Sequence, residues 1–143
     1  MGYSRERSIA RPRVLLDTNI LMLLAERVDV FSEIEELLET KPEYYVLRQV
    51  IGELERIARE GSFRERKAAQ LALRVIEKKC RVLDIDRPSG WSVDDLILYV
   101  AVKEGFIVAT SDKELRRRLR EKGVPDIYFR WEKRRLETQY QYI

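Results

Sequence analysis

Short apolar runs alternate with amphipathic stretches along the chain. Continuous apolar or β-prone runs predict strands at residues 13–17, 44–47, 81–85, 106–109 and 127–129. Apolar positions three and four residues apart predict helices at residues 19–26, 29–39, 49–60, 62–79, 92–103 and 112–122. Alternation of this kind is typical of an α/β domain. We therefore predict a three-layer α/β/α fold with a central, mostly parallel five-stranded sheet.

The chain of 143 residues is long enough for one domain with a hydrophobic core. We divide it into a basic N-terminal arm (1–12), a folded domain (13–130) and a C-terminal tail (131–143). No apolar run approaches the about 20 residues that cross a membrane, and residues 1–13 lack the apolar segment of a secretory signal. The lone Cys80 suits a reducing compartment. These features predict a cytoplasmic protein without a membrane partner.

The composition excludes several kinds of catalytic site. The chain contains no histidine, which rules out Ser-His-Asp and Cys-His nucleophile systems and zinc sites with histidine ligands. One cysteine cannot form an internal disulfide or a thiolate cluster. Any catalysis must therefore use carboxylates, lysine, tyrosine or metal ions, and carboxylates favour Mg²⁺ and Mn²⁺.

The net charge of +3 is unevenly distributed. Residues 1–13 carry four arginines and one glutamate, and residues 116–135 carry nine basic and three acidic side chains. Acidic residues outnumber basic ones between these two ends. The distribution suggests a polyanion held by the basic ends, although solvated helix faces would explain it equally well.

Polar residues follow two of the predicted strands. In 14-VLLDTNILM-22 a buried run ends at Asp17, and Asp112 follows the strand 106-FIVA-109. Ligands of open parallel sheets bind beyond the carboxyl ends of the strands, so both acids are candidates for a site there. Asp17 could instead cap the helix that follows.

Two acids, one of them Asp112, are left without a capping role once the capping boxes are assigned. Ser92 and Asp95 have the spacing of a capping box, which leaves Asp94 without that role. Ser111 and Glu114 have the same spacing, which would leave Asp112 free as well.

In 50-VIGELERIA-58, Glu53 and Glu55 flank an apolar stripe, and periodicity does not choose between them. Carboxylates gathered at one edge would repel each other and would need protons or cations. Two divalent ions roughly 4 Å apart could neutralise them and align a water against a phosphodiester.

The sequence resembles the PIN domain, a family of metal-dependent nucleases that act mainly on RNA. Four motifs carry the resemblance between about residues 13 and 129: VLLDTNIL with Asp17, VIGEL with Glu53, DDLILYVA beginning at Asp94, and IVATSD ending at Asp112. The second motif selects Glu53 over Glu55. The ending TSDKELRRRLREKGVPDIYFR is similar to the archaeal and eukaryotic branch linked to small-subunit ribosomal RNA processing. Toxins of prokaryotic toxin–antitoxin pairs share the same acids.

The resemblance implies an endoribonuclease in which these four acids hold one or two Mg²⁺ or Mn²⁺ ions. Asp95 would contribute a further contact, and Asn19, Thr110 and Ser111 would orient carboxylates or waters. Metal-activated water would leave 5′-phosphate and 3′-hydroxyl ends. The partners expected are RNA, a second copy in a homodimer, and an antitoxin or a ribosome-assembly factor.

Basic residues late in the chain are candidates for phosphate contacts. They are Arg116, Arg117, Arg120, Arg130, Lys133 and Arg134. Trp91, Tyr128 and Trp131 could stack on unpaired bases. A non-catalytic RNA-binding scaffold is the main rival from another class. A receiver-type signalling domain ranks below it, because Asp84 and Asp86 do not clearly supply a phosphorylatable aspartate on a middle strand.

Overall fold

A computed structural model describes residues 11–139 of the chain. Residues 1–10 of the predicted basic arm and 140–143 of the predicted tail lie outside this range. The strands are β1 (Arg13–Leu16), β2 (Glu43–Leu47), β3 (Cys80–Leu83), β4 (Ile107–Ala109), β5 (Asp126–Arg130) and β6 (Arg135–Thr138). The helices are α1 (Thr18–Leu21), α2 (Val30–Leu38), α3 (Arg48–Glu60), α4 (Phe63–Lys79), α5 (Val93–Glu104) and α6 (Lys113–Glu121). A 3-10 helix (Met22–Glu26) continues directly from α1.

The strands form one sheet in the order β3-β2-β1-β4-β5-β6. Every pairing is parallel except that of β5 with β6. The three-layer α/β/α prediction and the mostly parallel sheet are confirmed, but the sheet has six strands where we predicted five.

The sixth strand lies in the segment that we predicted as a tail. β6 has the sequence RLET, in which Leu136 is apolar and buried and its neighbours are polar. So short a segment with one apolar residue gives almost no periodicity from which to predict a strand. The strand is held by its antiparallel hairpin with β5 and by a hydrogen bond to a residue distant in sequence, which joins the Leu136 N–H to Glu33 Oε1 of α2 at 2.7 Å.

The chain changes direction in the sheet at β1. It moves outward from β1 through β2 to β3 and then returns as β4 on the other side of β1. The carboxyl ends of β1 and β4 are therefore adjacent, and the Asp17 N–H donates to the Ala109 carbonyl oxygen at 3.0 Å. A switch of this kind opens a crevice in which α/β sheets bind ligands.

The base of this crevice is rigid. Leu16 of β1 and Val108 and Ala109 of β4 are buried in the hydrophobic core. Side chains that emerge just after these residues are thus held by close-packed strands. Within residues 11–139, no helix combines the length and apolarity needed to cross a membrane.

Candidate active site

Asp17 lies at the centre of the crevice and is nearly buried, with 8% of its surface exposed. It caps α1: its Oδ1 accepts the Thr18 N–H at 2.8 Å. Its Oδ2 accepts the Thr110 hydroxyl at 2.7 Å and the Asn19 amide at 3.2 Å. The capping role predicted as an alternative is therefore confirmed. It uses Oδ1, while Oδ2 contacts Thr110, the residue after β4.

The three supporting residues predicted from sequence join the ends of β1 and β4. Asn19 Oδ1 accepts the Ser111 N–H at 2.9 Å. Thr110 is fully buried, and its hydroxyl oxygen accepts the Asp112 N–H at 3.2 Å. This network positions Asp17 and Asp112 relative to each other.

Asp112 has a helix-capping role that we did not predict. We expected a capping box of Ser111 with Glu114, but Asp112 itself is the N-cap of α6, and its Oδ1 accepts the Leu115 N–H at 2.9 Å. The Ser111 hydroxyl is used elsewhere, because it accepts the Phe129 N–H of β5 at 3.0 Å. Glu114 pairs with Arg117 on the helix surface.

Glu53 reaches the site from the second turn of α3. Its Oε1 accepts the Thr18 hydroxyl at 3.2 Å, which connects α3 to the residue after Asp17. Sequence reasoning did not assign Thr18 a role. The polar triplet Asp17-Thr18-Asn19 at the end of an apolar run was the signal that could have identified it.

Asp94 and Asp95 lie in the first turn of α5. The predicted capping box is confirmed: the Ser92 hydroxyl oxygen accepts the Asp95 N–H at 3.0 Å, and Asp95 Oδ2 accepts the Ser92 N–H at 2.8 Å. Asp95 Oδ1 also pairs with Arg118 of α6 at 2.8 Å. These contacts lower the pKa of Asp95, the Ser92 N–H being the largest cause.

Two of the candidate carboxylates resist ionisation. Burial raises the pKa of Asp17, as do the charges of Glu53 and Asp112, whereas its bonds from Thr110 and Thr18 lower it. Burial also raises the pKa of Asp94, together with the charges of Asp17 and Asp112. Glu53, Asp94 and Asp112 thus all lie within electrostatic reach of Asp17.

This donor set fits a hard divalent cation. Carboxylate, hydroxyl and amide oxygens are the ligands that Mg²⁺ and Mn²⁺ prefer, and mutual repulsion among Asp17, Glu53, Asp94 and Asp112 is what a cation would relieve. The side chains are not yet arranged as a ligand shell, since residues 11–139 contain no preformed group of three or more acidic or cysteine side chains able to hold an ion.

The basic residues of α6 that we predicted to bind RNA already have partners in the chain. Arg116 pairs with buried Asp126 at 3.0 Å and stacks on Tyr128 with its guanidinium 3.6 Å from the ring centre. Arg120 also reaches Asp126, at 3.5 Å. Arg117 lies between Glu114 and Glu121.

The basic residues after β5 are likewise engaged. Arg130 pairs with Glu132 and Glu137, each at 3.3 Å, and Lys133 reaches Glu137 at 3.6 Å. Arg134 donates to the Glu26 carbonyl oxygen at 2.9 Å. These pairs are mostly exposed, so an RNA phosphate could replace them at little cost. A role for them in RNA binding stays a prediction.

Comparison with known proteins places this architecture in a family. Residues 14–132 match the family model described as a PIN like domain. The chain belongs to the PIN-like domain family. This confirms the resemblance inferred from the four motifs, and the match spans every element from β1 to β5.

Named relatives of this PIN-like chain include two archaeal proteins. Ribonuclease VapC4 of Methanocaldococcus jannaschii is 32% identical over 124 residues, covering 85% of this chain and 92% of the relative. Ribonuclease VapC9 of Archaeoglobus fulgidus is 29% identical over 121 residues, covering 84% of each.

Solved structures share the fold. The PIN domain endonuclease Utp24 superposes with a TM-score of 0.71 at 25% identity, covering 89% of this chain and 90% of that one. A chain of Rickettsia felis VapBC2, solved with a promoter DNA fragment, superposes with a TM-score of 0.56 at 18% identity, covering 73% and 92%. The second likeness concerns the fold alone.

Proposed function

We propose that this chain is an endoribonuclease that depends on Mg²⁺ or Mn²⁺ and hydrolyses phosphodiester bonds in RNA. The observation that carries the proposal is the convergence of Asp17, Glu53, Asp94 and Asp112 at the crevice between β1 and β4. Two relatives named ribonucleases, each covered over most of its length, support RNA as the substrate.

The four acids would hold one or two ions, with Asp95 as a further contact. A bound ion would lower the pKa of a water and offset charge on the phosphate. Thr110 and Asn19 fix the Oδ2 edge of Asp17, and Thr18 fixes Glu53, so the chain itself orients two of the ligands. Attack by water would leave 5′-phosphate and 3′-hydroxyl ends.

The test is cleavage of a 5′-labelled structured RNA with Mn²⁺ or Mg²⁺, beside EDTA and the Asp17→Asn variant. We expect metal-dependent cleavage with 3′-hydroxyl ends. Asp17→Asn should lower the cleavage rate at least ~10–100-fold, the effect of removing a residue that supports a metal ligand. Cyclic 2′,3′-phosphate ends would contradict the mechanism, because they require the RNA's own 2′-hydroxyl as nucleophile.

Metal binding can be measured without cleavage. Saturating Mn²⁺ should raise the unfolding temperature of the wild type, since an ion at 100 times its Kd adds ~2.7 kcal/mol to the free energy of unfolding. Asp17→Asn should lose that increase. Asp29→Asn, which changes the cap of α2, is the matched control and should keep it. RNA binding without cleavage or metal stabilisation would favour the scaffold instead.

For the biological role we propose processing of ribosomal RNA precursors, on the likeness of residues 110–130 to that branch of the family. A toxin restrained by an antitoxin is the alternative. Selective cleavage of a precursor transcript at one position would support processing. A small protein encoded next to this chain that binds it tightly and blocks cleavage would support the toxin.

A further inference from the structure

One face of α5 is apolar although it points away from the core. The core face of this helix carries Leu96, Ile97 and Val100, all buried. A second apolar face carries Tyr99, with 45% of its surface exposed, and Val102, with 51%. Large apolar side chains clustered at a surface commonly mark a binding site.

This second face forms one wall of a groove between α5 and α6. Trp91, just before the Ser92 cap, joins Leu98, Tyr99 and Val102 along the groove, whose volume is about 450 Å³. Volumes of ~300–1,000 Å³ are typical of ligand sites in proteins. The Trp91 and Tyr99 rings meet edge to face, with centroids 5.5 Å apart and planes at 72°.

Two cations and one carboxylate line the rest of the groove. Arg118 of α6 and Lys122, the residue after α6, form the opposite wall, and Asp95 pairs with Arg118. Lys103 lies at the aromatic end, with its ammonium 3.3 Å from the Tyr99 hydroxyl and 5.6 Å from the ring centre. The groove therefore offers aromatic surface beside positive charge, the combination that binds single-stranded nucleic acid.

The groove adjoins the proposed active site. Asp95 lines it, and the neighbouring Asp94 faces the acids at the crevice. The Arg118–Asp95 pair at 2.8 Å is the boundary between the two regions. A strand of RNA with its phosphate at the acids could therefore place an adjacent nucleotide against Trp91 and Tyr99.

We infer that the groove lined by Trp91, Tyr99 and Val102 binds an unpaired nucleotide of the RNA substrate next to the bond that is cut. A base stacks on the aromatic pair while Lys122 and Lys103 contact the flanking phosphates. The inference rests on the proposed ribonuclease function and adds to it the surface that holds the nucleotide beside the cleaved bond. Paired bases are already stacked within a duplex and cannot enter the groove.

The test uses the fluorescence of Trp91. The chain has two tryptophans, so Trp131→Phe leaves Trp91 as the reporter. Oligo(U) of about eight nucleotides, within the ~4–16 typical of single-strand sites, is titrated in EDTA to prevent cleavage. We expect quenching by the single strand and little by an RNA duplex of equal length.

Variants separate stacking from fold and charge. Tyr99→Ala should weaken oligo(U) binding roughly tenfold or more, the effect of losing one stacked ring, whereas Tyr99→Phe should bind like the wild type. Phe63→Ala is the matched control, because Phe63 is also an exposed aromatic with a lysine near its ring, Lys67 at 5.5 Å from the ring centre, but lies on α4. It should bind normally.

Three outcomes are informative. If Tyr99→Ala binds oligo(U) as tightly as the wild type while the wild type still cleaves RNA, the groove inference is wrong and the nuclease stands. If Tyr99→Ala instead changes the sedimenting mass without changing RNA affinity, a second copy covers this face, which also overturns the inference. If oligo(U) quenches Trp91 but the metal-loaded wild type cleaves no RNA, the proposed nuclease function fails and the groove stands.

Discussion

At the scale of single residues, three of the carboxylates proposed for the site also cap helices. Asp17, Asp95 and Asp112 each accept a backbone N–H at the start of a helix. In Asp17 the cap engages Oδ1 and leaves Oδ2 for contacts across the crevice. One carboxylate can therefore cap a helix and also bind a metal ion, because it has about four lone-pair sites.

Asp112 allows the two roles to be separated by mutation. Asp112→Asn keeps a good N-cap, so the free energy of unfolding should change little, whereas Asp112→Ala should lose about 1 kcal/mol. Both variants should lose RNA cleavage, because both remove a carboxylate from the site. Urea unfolding and cleavage assays measure the two effects. An active Asp112→Asn variant would show that capping is its whole role.

The ion pair of Arg116 predicts a structural role for this side chain. Its partner Asp126 is buried, with 4% of the side chain exposed, so Arg116→Ala would leave a buried charge paired with Arg120 at 3.5 Å. We expect a loss of about 3 kcal/mol or less in unfolding free energy. The salt dependence of RNA binding should not change. Lys133→Ala, at an exposed pair, is the control for stability and should cost under about 0.5 kcal/mol.

At the scale of elements, β6 continues the sheet into the segment that we predicted as a tail. Leu136 is buried against α2 and β5, and the backbone of β6 pairs with β5 throughout its four residues. After the turn at residues 131–134, the sheet thus continues from Arg135 to Thr138.

Substitutions in β6 test this assignment. Leu136→Ala should lower the free energy of unfolding by about 2–4 kcal/mol, because it removes buried methyl groups and leaves a cavity. The adjacent Arg135→Ala should change it by less than about 0.5 kcal/mol, because Arg135 is exposed. Equal small effects in denaturant unfolding would mean that β6 contributes little to the domain.

At the scale of the whole molecule, the candidate acids and the paired basic residues occupy different parts of the fold. At the carboxyl edge, burial and the charges of neighbouring acids raise the pKa of Asp17 and of Asp94. Arg116 and Arg117 of α6 and Lys133 of the turn before β6 pair with carboxylates elsewhere. The free chain therefore stores electrostatic repulsion at one edge, which a cation or low pH would relieve.

This repulsion predicts a pH dependence of stability. The pKa values of Asp17 and Asp94 are raised above 3.8, primarily by burial, so the folded chain keeps protons that the unfolded chain has already released. Their contribution to stability is thus present at low pH and is lost as pH rises from about 3.8 through the folded-state pKa values. In EDTA, Asp17→Asn should gain stability relative to the wild type across that window. Asp29→Asn is the control. If the difference in unfolding free energy between Asp17→Asn and the wild type does not change with pH, the prediction is wrong.

Sequence alone predicted the order of the elements from β1 to β5 and the four candidate acids. Both depend on local signals: apolar periodicity for helices and strands, and polar residues at the points where buried runs such as 14-VLL-16 end. The Ser92–Asp95 cap was predictable for the same reason, since its partners are three residues apart.

The features that could not be predicted depend on residues far apart in the chain. Thr110 donates to Asp17 across 93 positions, the Leu136 N–H of β6 donates to Glu33 of α2, and the Ser111 hydroxyl accepts from Phe129, which leaves the cap to Asp112. No local period encodes such contacts, because they arise when elements from different parts of the chain pack together. The aromatic groove is of the same kind, because it forms where the second apolar face of α5 lies against α6.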